Sequence, residues 1–323
     1  MENLVQVDRQ TPFLMPQDLK DWLPKNHIVH FIIDAVEAVS PKVSFHLNKR
    51  GSGSKQFNPE MMMELLIYSY CTKRFSSYAI EKATYTDIPT MYITAMEHPD
   101  HNTINNFRKN NREAFKKVFT QLLLLAQTTG LMKKIGTISV LKNAVKQMEE
   151  SQKEMIQEKM PKEPENKVDD KAQVNFTDSE SRIMKFGNSN NFEQSYNLQA
   201  AVDTDSKMIV GTYPTQKCND KAELKNCVES VPEELEKEEN VFVCADTGYF
   251  SSSLIEKTEE GQKIYSKRKT TVEPVFGIIK RVMGFRQFLM RGLENIGIEW
   301  DLVKISDNIS RMYALKNLSL AKM

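Results

Sequence analysis

A change in the period of the apolar residues limits this 323-residue chain more than any other feature. Up to about residue 135 the apolar positions recur at helical spacing. Leu19, Trp22 and Leu23 are followed by Ile28, Val29, Phe31, Ile32, Ile33, Ala35 and Val36, with Pro24 separating a short turn from a longer helix. Residues 196–202 alternate instead as a strand does, Asp203-Thr-Asp-Ser206 reads as a turn, and residues 208–213 return as the second strand of a hairpin. Between the two regimes, residues 141–160 read as a polar helix with a thin apolar stripe of Leu141, Val145, Met148, Met155 and Met160. That helix stops at Pro161 and passes into a Lys/Glu/Pro-rich tether that runs to residue 170. The expected class is therefore α+β: a helical part over residues 1–135, the polar helix and tether over 136–170, and a mixed α/β domain over 171–323.

Within the helical part, Asn58 is placed to cap a helix that has Pro59 in its first position, and the run from Met61 to Cys71 is apolar enough to be core. Residues 76–111 read as helix, turn, helix. The second helix, opened by Asp100 and His101, carries polar residues able to meet base edges, with Arg108, Lys109 and Arg112 for phosphates. Any two short helices imitate that arrangement, so the pattern alone is weak. The pairs His27-x2-His30 and His98-x2-His101 have no Cys partner and no intervening helical Glu, so neither reads as a metal site.

Composition narrows the classes. Hydrophobic residues make up 40% of the chain, enough for a substantial core in two domains. The net charge of +1 conceals an acidic, Lys/Glu-rich middle and a basic C-terminal segment. Cys71, Cys218, Cys227 and Cys244 form no C-x-x-C pair and read as reduced thiols of an intracellular protein. Neither a leader-like apolar region nor a long apolar span is present, so a soluble, cytoplasmic protein is expected.

Two C-terminal stretches carry chemistry. The run Val241-Phe-Val-Cys-Ala245 suits a buried central strand that delivers Asp246 at its end. Residues 263–291 then hold eight Lys or Arg and one acid, Glu273. A solvated basic helix face would explain such a run. So would a carboxylate that holds a divalent cation while its basic neighbours hold a polyphosphate backbone. Glu273 and Lys280 are two helical turns apart and share a face, and Ile278, Ile279, Val282 and Phe285 offer an apolar face for docking. A helix over residues 221–228 and a final helix over 302–318 complete the reading.

The pattern Tyr265-x2-Arg268-x4-Glu273-x6-Lys280, with Gly284-Phe-Arg286, Arg291-Gly-Leu-Glu294 and Glu299-Trp-Asp-Leu302, resembles the C-terminal catalytic segment of DDE-type bacterial insertion-sequence transposases. Cys244-Ala-Asp246-Thr-Gly-Tyr249, Lys171 to Lys185 and Tyr196 to Asp203 are similar to further parts of the same core. Asp21-Trp-Leu-Pro24, Phe57-Asn-Pro59 and Pro99-Asp-His101 resemble its helical N-terminal domain, so the likeness spans nearly the whole chain in order. The resemblance implies a ribonuclease-H-like core, a helical DNA-binding domain, and metal-dependent DNA cleavage and strand transfer with two Mg²⁺ ions. It makes Asp246 and Glu273 catalytic metal ligands. Tyr265, Arg268 and Lys280 become phosphate contacts near the scissile bond, Arg286 and Arg291 outer ones, and Arg108 and Lys109 contacts of the N-terminal domain. Transposon-end and target DNA are the implied partners, with a homodimer as the assembly.

The chain departs from the family pattern twice. The first catalytic Asp should follow the Gly136-Thr-Ile-Ser139-Val140 stretch, and Leu141-Lys-Asn-Ala144 stands there instead. The interval from Asp246 to Glu273 is also short. Both departures imply a truncated catalytic domain and impaired catalysis, with a non-catalytic DNA-binding remnant as the alternative. Asp203 is the first substitute to consider, although Asp is common in turns for local hydrogen-bonding reasons.

Overall fold

A computed structural model describes residues 18–47, 56–147, 178–185, 192–217, 223–245 and 273–320. The class is mixed helix and sheet, as expected. Among the described residues six α-helices precede the first strand: α1 (Ile28–Val39), α2 (Pro59–Cys71), α3 (Ser77–Thr86), α4 (Ile88–Thr94), α5 (His101–Asn110) and α6 (Arg112–Thr128). Their starts follow from short polar side chains that accept the orphaned N–H groups of a first turn. Asn58 Oδ1 accepts from Glu60 N at 2.8 Å, Asp100 Oδ1 from Thr103 N at 2.6 Å, and Asp87 Oδ2 from Thr90 N at 3.2 Å. Pro59 and Pro89 occupy the first turn, where no N–H is needed.

The sheet is built around β1 (Ile135–Gln147). It runs antiparallel to β3 (Phe192–Asp203), from Ile138 opposite Asp203 to Lys146 opposite Ser195. β3 pairs in turn with β2 (Arg182–Lys185) and β4 (Ile209–Thr215), both antiparallel. On its other side β1 runs parallel to β5 (Lys237–Ala245), with Val140 opposite Ala245, and to the short β6 (Gln287–Phe288). The β3–β4 hairpin turns where the sequence places it: Asp203 Oδ2 accepts from Ser206 N at 2.8 Å and from Ser206 Oγ at 2.5 Å. Helix α7 (Glu223–Glu229) follows β4, and Gly211 is required there, because a Cβ would come within 2.6 Å of Ser230 Oγ and 3.1 Å of Val231 N.

Two further helices close the fold, α8 (Glu273–Gly277) and α9 (Leu293–Leu320). α9 packs against α1, α2, α5, α6 and β4. From Ile298 to Ile309 every residue of α9 is buried, so this stretch is enclosed on all sides. It joins the helices to the sheet by hydrogen bonds as well as by packing. Asn308 pairs with the backbone of Ile209 in both directions (2.9 and 2.8 Å), and Ser306 Oγ donates to Ile67 O at 3.3 Å. One continuous apolar core therefore runs through helices and sheet. No helix among the described residues is long and apolar enough to cross a membrane.

Three expectations need correction. Residues 141–147 do not start a polar helix; they extend β1, because the ladder to β3 satisfies their backbone over its whole length, and the rest of the expected helix lies outside the described residues. β5 is not buried throughout: Phe242 is 48% and Val243 37% exposed, since β1 is its sole partner among the described strands. The final helix starts at Leu293, nine residues before position 302.

Three buried carboxyls make stability depend on pH. Burial, reinforced by Glu37 and Glu60, pushes Glu64 up to about 8, and burial pushes Glu299 and Asp307 up to about 7. Each folded-state value lies above the unfolded one, so the stability these groups contribute is present at low pH and lost as pH rises through about 7 to 8. Thermal unfolding should show the melting temperature falling between pH 5.5 and 8.5, and Glu64→Gln should flatten that fall. An unchanged slope in the variant would remove Glu64 from the account.

Candidate active site and nucleic-acid interface

β5 is described as far as Ala245, opposite Val140 at the middle of β1. Asp246 is the next residue in the chain and lies outside the described residues, as do Tyr265 and Arg268. Glu273 is the first residue of α8; the helix begins where the expected second carboxylate stands. α8 continues as a π-helical turn over Ile278–Val282, in which Met283 N donates to Ile278 O at 2.9 Å. That wider turn shifts the phase of the helix. Of the expected docking residues, Ile279 and Phe285 are accordingly buried, while Ile278 (42%) and Val282 (58%) face solvent; Val275, Phe276 and Met283 complete the buried set.

Rings lock this segment in place. Phe276 stacks on Trp300 of α9 with centroids 6.2 Å apart and planes 9° from parallel. Gly284, at φ +77°, reverses the chain after the π turn, a conformation open to Gly at little cost. Phe285 then meets Phe75 and Phe288 edge-on, and Phe288 meets Tyr196 of β3. The basic residues keep to the outside: Arg281, Arg286 and Arg291 are exposed, and Lys280 is half-buried. Burial holds the Lys280 ammonium below the usual lysine range, so an approaching anion would favour its charged form.

Three carboxylates hold the loop that carries Arg286 and Arg291, those of Glu299 and Asp178 buried and that of Glu180 exposed. Glu299 Oε2 accepts from Leu289 N at 2.9 Å and from Met290 N at 3.1 Å. Asp178 Oδ2 accepts from Tyr196 OH at 2.9 Å and from Gly292 N at 3.2 Å, and Glu180 accepts from Leu293 N. Asp178 and Glu180 thereby place negative charge at the N-terminus of α9, where the helix dipole favours it. Sequence reasoning missed these three residues. Their signal was present, since Asp178 and Glu180 lie within the Lys171 to Lys185 stretch and Glu299 opens Glu299-Trp-Asp-Leu302, but only tertiary contacts reveal what they hold.

In the helical part, α5 turns Asn102, Asn106, Lys109 and Asn110 outward. Arg108 requires correction as a phosphate contact. It is 2% exposed, its Nη2 donates to Phe75 O at 2.9 Å, and its guanidinium lies 5.5 Å from the Tyr70 ring centroid. An Arg on the Ile104 side of an amphipathic helix points inward whatever its charge. Arg112 pairs with Glu294. The histidines have packing and hydrogen-bonding roles: His27 Nδ1 accepts from Val29 N, His98 stacks on Tyr85, and His101 stacks on Tyr78 while its Nδ1 lies 2.8 Å from Glu81 Oε2.

The described residues do not supply a metal site. Among them no group of three or more His, Cys, Asp or Glu could hold an ion, and β1 carries no carboxylate in its thirteen residues. Asp203 is 3% exposed and committed to Ser206. It lies two strands across and two residues down from Ala245, roughly 12 Å away at ~3.3 Å per residue and ~4.8 Å per strand.

Comparison with known families gives two matches. A family model described as a transposase domain (DUF772) matches residues 17–110, and one described as a transposase DDE domain matches residues 188–313. No curated protein and no solved structure matches the chain.

Arg108 and Lys109 should separate on mutation. Arg108→Ala leaves Phe75 O without its donor and opens space beside Tyr70, at a cost of about 2–4 kcal/mol, whereas Lys109→Ala stays within about 0.5 kcal/mol. Urea unfolding of the two variants checks this; equal stabilities would return Arg108 to the surface.

Proposed function

Because the chain belongs to the DDE-type insertion-sequence transposases, we propose that it binds transposon-end and target DNA but is catalytically impaired. The family is a metal-dependent one, and its ions stabilise the attacking and leaving oxygens of phosphodiester transfer. In this chain Asp246 and Glu273 are the carboxylates available for that role, with Mg²⁺ as the proposed ion. The observation that carries the impairment is the composition of β1: it pairs with β5 beside the end that leads into Asp246, and the stretch from Ile135 to Gln147 contains neither Asp nor Glu. Losing one charge-stabilising group of this kind costs about 2.7–4 kcal/mol of transition-state stabilisation, or roughly 10²–10³ in rate.

DNA engagement draws on other residues. Lys280, Arg286 and Arg291, with Tyr265 and Arg268, form the proposed phosphate contacts of the catalytic half. Lys109, beside Asn102 and Asn106, serves the helical part. A truncated ribonuclease-H-like core, a homodimer and a cytoplasmic location complete the proposal. The mixed sheet, in which a parallel β1–β5 pair adjoins the antiparallel β3–β4 hairpin, supports the first of these.

The deciding experiment is Mg²⁺- or Mn²⁺-dependent cleavage of a plasmid that carries the gene's own flanking ends, comparing the parent protein with Asp246→Asn and Glu273→Gln. The expected result is no cleavage by any of the three, with end-specific binding retained in a gel shift. Cleavage by the parent that is lost in both variants would show that another acid completes the site and that the impairment is wrong. Removing phosphate contacts should weaken binding about evenly across sequences; the double variant Arg286→Ala/Arg291→Ala should reduce the slope of log Kd against log salt by about 2.

A further inference from the structure

A cleft of about 260 Å³ opens between α6, β4 and α9, on the helical side of the sheet. Arg112 and Lys116, one turn apart on α6, and Lys304 on α9 bring three cations to its wall, against one acid, Asp301. Asp301 is already engaged, with Oδ1 2.6 Å from Lys304 Nζ. That ammonium also reaches Thr212 Oγ1 at 3.1 Å and lies 4.0 Å from the Phe119 ring centroid. The carboxylates paired with Arg112 and Lys116, Glu294 and Glu113, are 74% and 81% exposed, so solvent screens both pairs.

The wall also carries buried donors with no acceptor. Trp300 is 1% exposed, lines the cleft, and its Nε1 has no hydrogen-bond partner among the described residues; the same holds for Arg112 Nε. A buried N–H left unpaired costs about 1–3 kcal/mol, so two on one cleft wall point to an acceptor that belongs there. An anionic group rich in acceptor oxygens suits this wall of three cations and two unpaired N–H donors, and the volume admits one larger than a water.

We propose that this cleft is a phosphate-binding site, in which Arg112, Lys116 and the Trp300 indole N–H hold a phosphate group. The wall formed by Phe119, Pro214 and Pro232 leaves room for the sugar that such a group carries. Arg112 and Lys116 lie between the two matched ranges, outside both transposase domains. The phosphate is either a diester of bound DNA, which rests on the DNA-binding reading above, or that of a free nucleotide, which does not. Trp300 also stacks on Phe276 of α8, so a ligand here touches the ring that supports the helix of Glu273.

The test uses the full chain and three probes: inorganic phosphate, a deoxynucleoside monophosphate and a fluorescein-labelled DNA duplex. Isothermal titration calorimetry reports the first two and anisotropy the third. The variants are Lys116→Ala, Arg112→Gln and Trp300→Phe, the last keeping an aromatic side chain against Phe276 while removing the N–H, and melting temperatures confirm folding. Five- to tenfold weaker duplex binding in each variant, with a salt slope lower by about 1 for the two cation variants, assigns the site to DNA. The same loss for phosphate or mononucleotide, with duplex binding unchanged, assigns it to a free ligand. Equal affinities of parent and folded variants for all three probes would overturn the proposal and leave a water-filled cleft. Absence of duplex binding by the parent would count against the proposed function alone, because the phosphate and nucleotide arms stand without it.

Discussion

Enclosure of the Ile298–Ile309 stretch of α9 is the constraint on which the rest of this structure depends. A helix surrounded by protein has no solvent face, so each polar group it carries must find an internal partner or destabilise the fold. Glu299 accepts two backbone N–H groups, Lys304 meets Asp301 and Thr212, Ser306 meets Ile67, and Asn308 pairs with Ile209 as a neighbouring strand would. These partners come from the helices, from the hairpin and from the loop after α8. The polar residues of α9 therefore fix the relative placement of three parts that apolar packing alone would leave free to slide.

How much of this could be read beforehand depended on whether the cause was local. The Asn58-Pro59 and Asp100 helix starts and the Asp203-to-Ser206 turn were legible, because a side chain within three residues of the backbone it satisfies leaves its mark in sequence. Residues 141–147 were misread because their polar, Lys-rich character says nothing of β3, some fifty residues further on, which pairs with them. Burial of Arg108 was missed for a related reason. Charge suggests the surface, yet its neighbour Ile104 already fixed which side of α5 faces inward. The exposed Phe242 and Val243 reverse the usual inference from an apolar run, since burial needs a neighbour on each side and β5 has one among the described strands.

The candidate site divides along the same line. Glu273 and its basic neighbours stood out as a composition anomaly, and the chain does start a helix at that glutamate. The supports of that helix were invisible, because they are contacts of long sequence separation: Phe276 with Trp300, Phe285 with Phe75, and Asp178 with the backbone of Gly292. The π turn hid the face they would occupy, since a pattern read at 3.6 residues per turn misplaces Ile278 and Val282.

The position of α9 in the chain has a consequence for how the protein is made. Helices α1 and α2 and strand β4 all leave the ribosome before α9, the element that covers them. At about 5–20 residues per second, the apolar faces of Val36, Leu66 and Val210 wait on the order of ten seconds or more before residue 309 can fill the space between them. Until then α1 can pack on α2 and α6, but the helices and the hairpin lack the element that joins them. Any chain that stops short of α9 is released in that condition, a substrate for chaperones and proteases rather than a smaller version of the same protein.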